Sequence, residues 1–133
     1  LSAMQSYLDS HPPIRTLADL QGHRLIGYIP DMIFDKELDY LAELGAERVP
    51  LASNSVSVQL NWVRTGAGVA IVHDFAIPSA PGMVRILPEE LSLSRAFWLI
   101  RHQDDRRSQR LGRFAALLIE GMRREVNRLE GLA

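Results

Sequence analysis

The chain has 133 residues, 47% of them hydrophobic and 23% charged, with a formal net charge of −1 and no cysteine. That is the balance of an ordinary globular protein, long enough for one domain with a core and without the basic excess of a nucleic-acid-binding module. The missing cysteine excludes disulfides, thiolate zinc sites and cysteine nucleophiles.

In chain order, residues 3–10 predict a short helix with Met4, Tyr7 and Leu8 on one side, stopped by His11-Pro12-Pro13. Leu17-Ala18-Asp19-Leu20 predicts a single helical turn. Arg24 to Ile29 is a compact apolar run ended by Pro30-Asp31, as for a buried strand. A helix is expected from about Asp35 to Leu44, with Leu38, Leu41 and Ala42 at helical spacing, Asp35 as N-cap and Gly45 at the C′ position. Arg48-Val49-Pro50-Leu51 predicts a short second strand, its proline suggesting a sheet edge or a strand end.

The segment after Ser53 carries two patterns. Val56, Val58, Leu60 and Trp62 alternate with the period of a strand, whereas Val56, Leu60, Val63 and Ala67 recur as on a helix. Valine favours the strand. The flanks, Ser53-Asn54-Ser55 before and Gly66 after, favour a helix, which would also supply the crossover between two parallel strands. A helix is therefore predicted.

Val69 to Val72 predicts a third strand, Pro78 to Gly82 a loop and Met83 to Leu87 a short strand. Ser94 to Arg101 predicts a longer strand, apolar on both faces and so central in a sheet. A long helix is expected from about Asp105 to Leu129, capped by Asp104 or Asp105, with Leu111, Phe114, Leu118, Met122, Val126 and Leu129 as one stripe. Strands alternating with helices imply an α/β fold, a three-layer arrangement around a mostly parallel sheet.

Few residues point to chemistry. Gly66-Ala67-Gly68 lies after a helix and before a strand, the reverse of a dinucleotide fingerprint, and reads as a helix stop and tight turn. His11, His23, His73 and His102 stand singly, so neither a metal nor a cofactor is expected, and no Gly-x-Ser-x-Gly elbow is present. His73-Asp74 follows a strand end, where ligands gather in parallel sheets; a solvated turn explains the pair equally well. Arg106, Arg107, Arg110 and Arg113 read as a solvated helix face. Ser53-Asn54-Ser55 offers more hydrogen-bonding side chains than one cap needs, beside the free N–H groups of a helix N-terminus, and points to a polar or anionic ligand.

The order and spacing of several motifs carry a resemblance over essentially the whole chain. They are Tyr7-Leu8-x-x-His11-Pro12, Leu17-x-Asp19-Leu20-x-Gly22-His23-x-Leu25-Ile26, Ser53-Asn54-Ser55, Val63-x-x-Gly66-x-Gly68-Val69-Ala70, the Gly82 to Pro88 segment and Phe97-Trp98. Together they resemble the effector-binding domain of LysR-type transcriptional regulators. The resemblance implies a type 2 periplasmic-binding-protein-like fold of two α/β subdomains, the first incomplete here: residues 22–92 would form the second, and 1–21 with 93–133 part of the first.

It further implies a small effector in the cleft between them, met by Ser53, Asn54 and Ser55 and by the strand ends Tyr28-Ile29-Pro30 and His73-Asp74-Phe75. The expected activity is effector sensing in a bacterial, cytoplasmic, homo-oligomeric regulator, not catalysis. DNA would be contacted only through a domain outside this chain. Beginning at Leu1 rather than methionine, the sequence reads as a fragment, and the stripe of the last helix would lack part of its packing partner, which favours self-association. No apolar run approaches the roughly 20 residues of a membrane helix, and the first residues lack the regions of a signal peptide. A transport solute-binding protein and an α/β enzyme are the alternatives.

Overall fold

A computed structural model describes residues 1–33, 40–41, 43–46 and 49–132. Its centre is a mixed sheet of β1 (Ser2–Met4), β2 (Leu25–Gly27), β3 (Leu51–Ala52), β4 (Val69–Ala70) and β5 (Met83–Arg85), in the order β3-β2-β4-β1-β5. β2 lies parallel to both β3 and β4, whereas β1 lies antiparallel to both β4 and β5. The expectation of a mostly parallel sheet is therefore corrected to a mixed one. The cause is β1, which lies where a helix was expected from residue 3; that helix begins only at Gln5, as α1 (Gln5–Asp9).

The strands alternate sides, as a period of two requires. Leu25 and Val69 join Ala3, Tyr7, Leu20 and Ile86 in one core cluster, while Ile26 and Ala70 join Val63, Ile77, Ala80 and Met83 in the other. α1 and the 3-10 turn Leu17–Gly22 thus cover one face, and α2 (Val56–Arg64) covers the other. Tyr7 and Leu20, from the 1–21 segment, pack in the first of these clusters with Leu25 and Val69.

The ambiguous segment is a helix. The Ser55 hydroxyl accepts from Val58 N–H at 3.4 Å. At the other end Gly66, at φ 73°, closes a Schellman motif: its N–H donates to the Val63 carbonyl at 2.8 Å and the Ala67 N–H to that of Trp62 at 2.9 Å. Two termination signals at the correct offsets outweigh the modest strand preference of two valines. α2 then serves as the crossover from β3 to β4.

Most of the helix expected from Asp35 to Leu44, and Arg48 of the expected second strand, lie outside the described residues. At the end of that helix Gly45 has φ 66° and Ala46 N–H donates to the Leu41 carbonyl at 2.9 Å.

Ser94 to Arg101 forms no strand, correcting the expectation of a central one. A strand exists through its ladder, and no described residue pairs with this segment. Trp98 is 84% exposed and Ile100 89%. The last helix, α3 (Gln109–Glu130), starts later than expected, capped by Ser108, whose hydroxyl accepts from Leu111 N–H at 3.4 Å. Of its stripe, Leu111, Phe114, Leu118 and Met122 are exposed and Val126 and Leu129 partly buried; Ala115, outside the stripe, is buried.

Candidate functional site

Parallel strands end on the same side of a sheet, and that side gathers ligands in α/β folds. The carboxyl ends of β2 and β4 lead into Tyr28 and His73; α2 starts from the carboxyl end of β3. Beside them lies a cavity of about 240 Å³, walled also by Arg85 of β5, Arg95 and Phe97 of the extended segment, and Glu130 of α3. Four of the nine expected ligand residues, Tyr28, His73, Asp74 and Phe75, line it.

The other five do not. The Asn54 side chain accepts from Ile29 N–H at 3.2 Å and donates to the Met32 carbonyl at 3.2 Å. The Ser53 hydroxyl accepts from Ser55 N–H at 3.1 Å, and Ser55 caps α2. Pro30 opens a 3-10 turn, Pro30–Met32. These polar atoms splice the end of β2 to the start of α2. From α2 itself, Val56 and the buried Gln59 reach the cavity; the Gln59 amide donates to the Ser53 carbonyl at 2.5 Å.

Aromatic rings form much of the wall. His73 and Phe75 stack with centroids 4.9 Å apart and planes within 10°, and Phe97 lies tilted 5.5 Å from His73. Tyr28 meets Tyr40 edge-on at 5.9 Å, and the Arg95 guanidinium lies 5.1 Å from the Tyr40 centroid. Burial lowers the His73 imidazole below its ordinary value; nearby Asp74 opposes this, Arg95 adds to it and Glu130 opposes it. Neutral imidazole is the form this wall favours. Burial likewise raises the Tyr28 phenol, with Tyr40 adding to the effect.

Among the described residues, four charged side chains line the cavity, two of each sign: Asp74, Glu130, Arg85 and Arg95. Arg85 pairs with Asp74 at 3.5 Å and donates to the Glu130 main-chain carbonyl at 3.4 Å. Half-exposed as it is, the pair stabilises little, on the order of 0–1 kcal/mol.

His11 and His23 meet Tyr7 away from the cavity. Tyr7 stacks on His11 at 3.9 Å; its hydroxyl accepts from Arg24 N–H at 3.0 Å and meets His23 Nδ1 at 3.3 Å. Among the described residues no group of three His, Cys, Asp or Glu is placed to hold a metal.

A family model, the LysR substrate binding domain, matches residues 3–123. The chain belongs to that family. Comparison with curated proteins and with solved structures gives no match. A LysR substrate-binding domain is the effector-binding domain of a LysR-type transcriptional regulator, with a periplasmic-binding-protein-like α/β fold, and belongs to a regulatory rather than a catalytic family. The mixed sheet with helices on both faces accords with that fold.

Sequence reasoning missed Tyr40, Arg85, Arg95 and Glu130 of the LysR domain's cavity wall. They come from separate elements and share no spacing pattern. Phe97 was visible only as part of Phe97-Trp98.

Proposed function

We propose that this chain senses a small polar or anionic metabolite in the cavity at the carboxyl ends of β2 and β4, and that the occupied state alters transcription. The observation that carries the reading is the convergence of Tyr28, His73, Asp74 and Phe75 on one cavity of about 240 Å³ in a LysR substrate-binding domain. In this reading the sheet-bearing part, residues 22–92 with 1–21 packed onto it, forms one wall of an inter-subdomain cleft, and residues 93–133 belong to the other subdomain. Ser53, Asn54, Ser55, Ile29 and Pro30 hold the rim behind the lining residues and present the first turn of α2. The mechanism is differential binding: an effector favours one arrangement of the subdomains and shifts a population that the regulator reports at DNA.

DNA contact would come from another part of the regulator, since this chain has no basic excess. Homo-oligomerisation is supported by the exposed apolar side chains of α3, and a cytoplasmic location by the regulator family. Among the described residues no helix is long and apolar enough to cross a membrane.

The test is calorimetric titration of the intact regulator with a panel of carboxylates and amides, repeated on His73→Ala and on Ser53→Ala combined with Asn54→Ala. A ligand whose affinity falls at least fivefold in His73→Ala supports the cavity. Unchanged affinity in both variants would place the effector elsewhere.

A further inference from the structure

The composition of the cavity wall is more specific than its charge. Four of the chain's nine Phe, Tyr and Trp residues, Tyr28, Tyr40, Phe75 and Phe97, line it together with the His73 ring. They arrive from at least four separate stretches of chain, so no local run of aromatics accounts for the gathering. They do not form a closed core either: Phe97 is 66% exposed, and His73 and Phe75 are half-buried. Of the four charged side chains lining it among the described residues, Asp74 and Arg85 form an ion pair. Aliphatic side chains such as Val56, Ile71 and Leu93 complete the apolar wall, and the five rings are its directional part.

Resting on the effector-cleft reading, we propose that the effector carries a single aromatic ring, seated beside the His73–Phe75 stack with Phe97 tilted against it and the Tyr28–Tyr40 pair in the same wall. The size agrees. A cavity of roughly 150 Å³ takes up benzene, so about 240 Å³ holds one ring with a small polar substituent. The geometry agrees as well: ring pairs with centroids between about 4.5 and 7 Å are those in which aromatic quadrupoles attract. The wall rings stand at such separations from one another, 4.9, 5.5 and 5.9 Å, so they hold each other in place along the cavity. A neutral His73, favoured by its burial, keeps the stack from carrying a charge into the cavity.

The experiment compares matched pairs that share a polar group and nearly share a volume but differ in planarity: benzoate with cyclohexanecarboxylate, phenol with cyclohexanol, and benzamide with cyclohexanecarboxamide. Each is titrated into the intact regulator by calorimetry, at concentrations up to the millimolar range, with succinate as a non-ring anion. The expected result is that at least one aromatic member binds roughly threefold to tenfold more tightly than its cyclohexyl partner, the size of aromatic contact beyond plain burial. Phe75→Leu, which keeps apolar bulk, should bring that ratio towards one while binding persists.

Equal binding within every pair, or preference for the saturated rings or succinate, overturns the aromatic assignment and leaves the cleft reading standing. An aromatic preference untouched by Phe75→Leu overturns it too, because the ring then sits elsewhere. Binding by none of the seven compounds overturns the assignment and counts against the cleft as well.

Discussion

Gly68→Ala is the sharpest test of the frame that positions this cavity. A methyl group at Gly68 would collide with the Arg24 carbonyl oxygen and stand 3.1 Å from its carbon. Uncrowded heavy atoms keep about 3.5 Å or more, so the chain must open by on the order of 1 Å where β4 meets the approach to β2. The bond from Val69 N–H to the same Arg24 oxygen, now 2.9 Å, cannot survive that movement. Overpacking costs about 1–3 kcal/mol and an orphaned buried polar group about 1–3 kcal/mol, against about 0.4–1 kcal/mol gained by stiffening the unfolded chain. A net loss of about 2–4 kcal/mol follows, or roughly 3 °C of melting temperature for each kcal/mol at this chain length. Urea denaturation followed by circular dichroism measures it. Gly22→Ala is the control, because a methyl group there meets nothing within 4 Å, and its stability should hold or rise slightly. A Gly68→Ala protein within about 0.5 kcal/mol of the parent would refute the reasoning.

Two further outcomes are expected. Ser55→Ala should lower stability by about 1 kcal/mol through loss of the α2 cap, whereas Ser55→Gly should cost only a few tenths; denaturant midpoints distinguish the two. The lowered His73 value predicts a loss of stability as pH falls. Below about pH 6.5 the unfolded chain takes up the proton first, so it binds more protons than the folded one until the pH passes the lower folded value. His73→Phe should remove that part of the melting-temperature profile, while Asp19, lowered by the Arg15 and Thr16 main-chain bonds, acts only at more acid pH.

The sequence revealed elements wherever a local signal named both ends. Ser55 and Gly66 bracket α2, and they outweighed the alternation of Val56, Val58, Leu60 and Trp62 because each satisfies main-chain groups that a strand would leave to a neighbour. β1 was not legible. Three residues, Ser2 to Met4, pair with partners more than 60 positions away, and nothing local encodes that. Ser94 to Arg101 failed the opposite way: its alternation is real, but a strand is a property of two segments, and alternation describes only one. For the candidate site, the strand-end rule pointed to Tyr28 and His73, which line the cavity, whereas the side chains of Asn54 and Ser55 bond Ile29, Met32 and Val58. Tyr40, Arg85, Arg95 and Glu130 converge only in three dimensions.

The paired signs of Asp74, Arg85, Arg95 and Glu130 bear on how a ligand arrives. Asp74 and Arg85, 3.5 Å apart, cancel each other's field beyond their own neighbourhood, and salt at physiological strength screens surface charges over about 8 Å. Under the effector reading proposed above, this ion pair gives little long-range pull on a metabolite, whose occupancy would follow its abundance and shape.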